Sequence, residues 1–134
     1  ALLNAKAVGK KITELANKTE RNLTLVAAGE QRAIESGERI EYVKEASSRV
    51  FAVEDYLGCG AIISYCSLPK NAEALVCGSA FNACKGQINK ILHESFSGKY
   101  LAQKNMPQDT EHCAQLNYYD VIPVFKNGQI KLLT

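Results

Sequence analysis

Tryptophan is absent from this chain of 134 residues, methionine occurs once, and only three prolines and two histidines are present. No apolar run approaches the length of a membrane-spanning helix. The longest, Leu57 to Ile63, is broken by Gly58 and Gly60, which excludes a helical span. No charge of one sign dominates either. Residues 1–58 carry nine basic and nine acidic side chains, and residues 59–134 carry seven and five, for a net charge of +2. That balance excludes a broad basic footprint for nucleic acid and leaves room only for a small basic pocket. The chain also lacks a glycine-rich phosphate loop and a dense pair of acids, so no cofactor is expected. It opens on Ala1, with no signal-peptide pattern, as a processed mature form or an excised segment would.

What is present reads as one ordinary globular domain spanning residues 1–134. Apolar residues make up 46% and charged residues 22%, enough to bury a core. Five cysteines in so short a chain point to an oxidising compartment, hence to a secreted, periplasmic or extracellular protein. Two sequons, Asn17-Lys18-Thr19 and Asn22-Leu23-Thr24, are compatible with that setting.

Four of the cysteines form two pairs, Cys59/Cys66 and Cys77/Cys84, each spaced by seven residues. Seven residues are two helical turns, so each pair falls on one face of its own helix. Zinc sites mostly use Cys pairs two to four residues apart, and the gaps here do not match, so no metal is expected. The pattern predicts a helical hairpin stapled by disulfides. Antiparallel helices favour Cys59–Cys84 outside and Cys66–Cys77 inside, with a crossed pairing left open. Cys113 is the odd thiol, expected to be free or to bridge two chains as a disulfide-linked dimer.

Along the chain, Ala5, Val8, Ile12 and Leu15 recur at helical spacing and predict a helix from Ala1 to about Ala16. Residues 24–37 are ambiguous between strand and helix. From Glu38 to Leu57 the stripe Ile40, Val43, Ala46, Val50, Val53 and Leu57 predicts one long amphipathic helix capped at Gly58. A further helix is predicted from Pro69 to about Phe96, and residues 98–115 read as a loop. The chain closes with a β-hairpin over 116–134, turned at Asn127-Gly128. The expected fold is mainly α with a C-terminal β-hairpin, a small α+β domain with helices over 1–97 and the stapled hairpin packed on the long helix.

Two functional readings follow. The first is a secreted or exported disulfide-stabilised domain that binds a protein or surface, as an effector, toxin component or interaction module. The second is a small metal-independent ribonuclease or toxin domain that acts on RNA. His93 and His112 would exchange protons with the 2′-hydroxyl and the leaving 5′-oxygen, and Lys99 would steady the phosphorane charge.

Overall fold

A computed structural model describes residues 2–31, 33–36, 39–42 and 49–133, with 33–36 and 39–42 described as backbone only. Helix α1 runs Ala5–Thr19 after a single 3-10 turn at Leu2–Asn4. It stops where Glu20 turns left-handed (φ 54°) and its amide reaches back to the Ala16 carbonyl. Ala5 is buried while Val8 and Ile12 pack on the core, so the helix spends most of its apolar stripe on its own fold and leaves Leu15 exposed.

The long helix expected from Glu38 to Leu57 does not form as one element. Short antiparallel strands occupy the first part of this region and the stretch before it: β1 (Glu30–Gln31) pairs with β4 (Arg49–Val50), and β2 (Ala33–Ser36) pairs with β3 (Arg39–Tyr42). Val43 and Ala46 lie outside the described residues. The stripe misled because Arg39-Ile40-Glu41-Tyr42 also alternates with period two, and its Ile and Tyr favour strands. Helix α2 starts only at Val53 and runs to Ser64, with Glu54 and Asp55 in the first turn, where the helix dipole favours acids. Gly58 is not its cap; it lies buried inside the helix.

Helix α3 spans Ala72–Cys84, and Asn71 caps it by accepting from the Ala74 amide. A 3-10 turn at Lys85–Gln87 separates it from α4 (Ile88–Glu94), so the single helix expected from Pro69 is two. The loop expected over 98–115 is largely helical. Helix α5 covers Phe96–Gln103, and α6 covers Pro107–Cys113 with proline in its first turn. Proline marks a helix start as readily as a loop, and Asn105, at φ 59°, makes the corner between the two helices.

The β-hairpin closes the chain as β5 (Pro123–Lys126) and β6 (Gln129–Leu132). Asn127 and Gly128 both adopt positive φ, as a tight two-residue hairpin turn requires. The mainly helical α+β description therefore stands for the described residues, with strands added before α2.

The helical hairpin is real, but disulfides do not hold it. All five cysteines are free, which overturns the stapled fold. Helices α2 and α3 instead meet through glycine: a Cβ on Gly60 would sit 2.6 Å from the Cys77 carbonyl oxygen and 2.7 Å from the Phe81 Cβ. The thiols turn to other partners. Cys77 donates to the Tyr56 carbonyl at 3.3 Å, Cys66 lies 3.2 Å from the Thr13 hydroxyl, and Cys84 packs on the core. That core joins Leu2 and Ala5 to Leu57, Ala61 and Ile62 of α2, Phe81 of α3, and Ile88 and Leu92 of α4. Burial of these side chains is the main stabilising term.

Candidate active site at the start of helix α5

Among the described residues, two clefts flank α2. The smaller, about 530 Å³, is lined by Glu30 and Gln31, residues 50–54 and 94–97, and Lys99. Its floor is the first turn of α5. Ser95 caps that helix, donating its hydroxyl to the Leu92 carbonyl at 2.7 Å and accepting from the Gly98 amide at 3.0 Å. The amides of Phe96 and Ser97 have no acceptor within the helix, as in any first turn. Gly98 lets α5 approach α4, because a Cβ there would fall on the Leu92 carbonyl oxygen.

Across the cleft, Glu54 projects from the first turn of α2. The Ser97 hydroxyl donates to Glu54 Oε1 in a short hydrogen bond of 2.5 Å. A hydroxyl bonded to a carboxylate, on a helix N-terminus and with a lysine in the same cleft, has the parts of an activated nucleophile facing an anion. The neighbouring Asp55 accepts from the Gly29 amide at 2.9 Å and fastens the lead-in to β1 against α2. Three glutamates line the cleft, and each has its own partner. Glu30 accepts from the Gln31 amide at 2.6 Å, Glu54 accepts from Ser97, and Glu94 lies 4.0 Å from Lys90.

The larger cleft, about 720 Å³, holds Cys59, Cys66 and Cys77 with Arg21, Tyr56 and Lys70. Size does not make it the better site. Burial, then the neighbouring Cys77 and Asp55, push the Cys59 thiol above its ordinary pKa, and burial likewise raises Cys77. Thiols held neutral are poor nucleophiles. The Lys70 ammonium is turned to backbone, 2.9 Å from the Cys66 carbonyl and 3.4 Å from that of Leu68. Among the described residues no group of three His, Cys, Asp or Glu side chains is placed to hold a metal ion.

Of the residues singled out from the sequence, only Lys99 lines the smaller cleft. His93 sits in the last turn of α4, half-buried. His112 is on α6, with its ring 5.7 Å from that of Tyr118 and 5.9 Å from that of Tyr119. Among the described residues no hydrogen bond or ring contact joins the two histidines. Cys113 ends α6, exposed and free. Glu54 and Ser97 escaped sequence reasoning. Glu54 was one acid on the polar face of an expected long helix, and Ser97 stood at the boundary between an expected helix and an expected loop. The available signal was Ser95 at a helix cap, followed by Gly98-Lys99.

The family model described as 2-phosphosulpholactate phosphatase matches residues 1–128. A probable 2-phosphosulfolactate phosphatase of Symbiobacterium thermophilum is 30% identical over 138 residues, covering 99% of this chain and 50% of that protein. The 2-phosphosulfolactate phosphatase of Methanothermobacter thermautotrophicus is 28% identical over 114 residues, covering 84% of this chain and 48% of that protein. The chain thus spans about half the length of these curated relatives. No solved structure matches it. The match overturns both functional expectations: neither a secreted disulfide-stabilised toxin, effector or binding module nor a ribonuclease built on His93 and His112 fits a phosphatase family.

Proposed function

Because the chain belongs to the 2-phosphosulpholactate phosphatase family, we propose that the cleft at the start of α5 cleaves a phosphate monoester of the 2-phosphosulfolactate type. Such a substrate carries a phosphate, a carboxylate and a sulfonate on three carbons. It needs positive potential at the phosphate and a nucleophile aimed at phosphorus. The hydrogen bond from Ser97 to Glu54, on the first turn of α5, is the observation that carries this reading.

The phosphate sits over the Phe96 and Ser97 amides, with Lys99 offsetting the charge that builds on its oxygens. Glu54 takes the hydroxyl proton as Ser97 Oγ attacks phosphorus, and the bond from phosphorus to the substrate alcohol breaks. Glu54 then passes that proton to the departing alkoxide. In the second half-reaction water gives a proton to Glu54 and attacks phosphorus. Ser97 Oγ leaves, recovers the proton, and inorganic phosphate is released. Over both steps one ester and one water become one alcohol and one phosphate.

The test is phosphate release from 2-phosphosulfolactate by the purified protein and by Ser97→Ala and Glu54→Gln. Each variant is expected to lose roughly a thousandfold or more in kcat, and the two together little beyond either alone, because the residues act as a unit. Wild-type turnover in Ser97→Ala would remove serine as the nucleophile.

A further inference from the structure

The larger cleft takes no part in the proposed cleavage, and its lining has a different chemistry. Its volume of about 720 Å³ falls in the range of sites that hold a small molecule. The wall is apolar, with Ile12 of α1, Ile63 of α2 and, from the connecting segments, Leu25 and Leu68. The thiols extend that wall, since burial keeps Cys59 and Cys77 protonated and uncharged at neutral pH. Among the lining residues Glu73 is the single acid, set against Lys70 and Arg21. Lys70 already serves two backbone carbonyls. Arg21 differs. Its amide is held by the Ala16 carbonyl at 3.3 Å, while its guanidinium meets no hydrogen-bond or ion-pair partner among the described residues.

We propose that this cleft binds an amphiphilic anion, an aromatic or acyl body bearing one carboxylate or sulfonate, with the body against Leu25 and Leu68 and the charged head on Arg21. The guanidinium is always charged, and its planar fork matches either head. The apolar body gains by leaving water for the wall. A second negative charge on the ligand would meet Glu73 on the same lining, which favours a single head. The site lies across α2 from Ser97 and Glu54, so it stands whether or not those residues cleave an ester.

The probe is anilinonaphthalene sulfonate, an apolar ring system with one sulfonate whose fluorescence rises when it leaves water. Titration of the full chain is expected to saturate at one probe per chain. Arg21→Met should weaken binding about tenfold or more, the range of one hydrogen bond between charged groups. Leu68→Ser should weaken it about threefold or more through lost apolar contact. Arg21 is exposed and Leu68 lies outside the core cluster, so neither change removes core packing, and unchanged melting temperatures confirm this. The native thiols give a second readout. Bound probe should slow alkylation of Cys59 and Cys66, which line the cleft, at least severalfold, while exposed Cys113 reacts as before. Phe125→Ser is the control for dye taken up by the hairpin, where Phe125 is 77% exposed, and it should leave the affinity unchanged. Absence of saturable binding overturns the proposal. So does binding that Phe125→Ser abolishes, that neither Arg21→Met nor Leu68→Ser weakens, or that leaves Cys66 unprotected.

Discussion

Asn117 and Tyr65, 52 positions apart, are joined by a hydrogen bond of 2.8 Å from the asparagine side-chain amide to the tyrosine hydroxyl. The same side chain turns its oxygen to the Lys6 amide at 2.7 Å, capping α1 from 111 positions away. Around it, the Asn117 amide donates to the Leu2 carbonyl, the Tyr119 amide to that of Leu3, and the Asn4 side chain to that of Val121. One residue therefore ties the end of the helical part to its beginning and to the end of α2. Its backbone is left-handed at φ 59°, a conformation asparagine tolerates better than most residues.

Asn117→Gly keeps that backbone available and removes both side-chain bonds, so it isolates them. We expect a loss of about 1–2 kcal/mol, read as a lower urea midpoint with unchanged slope. Asn117→Ala should lose more, because alanine also resists positive φ. Equal midpoints for the glycine variant and the wild type would mean that water replaces both partners without cost.

Gly60 offers a test whose sign is informative. In an exposed helix, Gly→Ala stabilises by about 1 kcal/mol. Here the added methyl would meet the Cys77 carbonyl and Phe81. Gly60→Ala is therefore expected to destabilise by about 1–3 kcal/mol, through overpacking between α2 and α3. Gly86, with nothing within 4 Å of an added Cβ, is the control, and Gly86→Ala should be neutral or mildly stabilising. A stabilised Gly60→Ala would show that the two helices can part without loss.

The helical hairpin was legible in the sequence, but its fastening was not. Periodicity put Cys59, Cys66, Cys77 and Cys84 on two helices; α2 carries Cys59 and α3 carries Cys77 and Cys84, while Cys66 lies just past the end of α2. Spacing on a helix face does not say which atom across the gap a thiol meets, and here the intervening glycines set the approach. The Asn127-Gly128 turn was legible because two consecutive positive φ values leave few residue choices. The strands before α2 were not, since Ile40 belongs both to the helical stripe and to the alternating run Arg39–Tyr42 until a partner strand is known. The Glu54–Ser97 pair was hidden for a related reason: it joins positions 43 residues apart, and neither has local chemistry of its own.

The raised thiols make the fold sensitive to alkali. Burial, with Cys77 and Asp55 nearby, holds Cys59 protonated above its ordinary value of 9.0, and burial does the same for Cys77. Below the unfolded pKa both states keep the proton and the stability is fully present. As pH rises past about 9 the unfolded chain loses its protons first, so stability falls through the window up to the folded values. The double variant Cys59→Ala/Cys77→Ala should flatten the fall in urea midpoint measured from pH 8 to 10. In the native protein at pH 8, the exposed Cys113 should react with a thiol reagent well before buried Cys77. The same alkaline slope with and without the two thiols would assign it to other groups.

Gly98 links packing to the cleft and separates a positional effect from a chemical one. A Cβ at Gly98 would fall on the Leu92 carbonyl oxygen, and the Gly98 amide holds the Ser95 cap at 3.0 Å. Gly98→Ala must therefore push α5 away from α4, carrying Ser97 and Lys99 with it. Displacements on the order of 1 Å can cost about a hundredfold in rate where groups must be aligned. The expected outcome is a loss of activity together with a loss of stability of about 1–3 kcal/mol. Ser97→Ala should instead lose activity with little change in melting temperature, since it removes one partly buried hydroxyl and no packing. If Gly98→Ala keeps both its melting temperature and its rate, the close approach of α5 to α4 is not what positions Ser97.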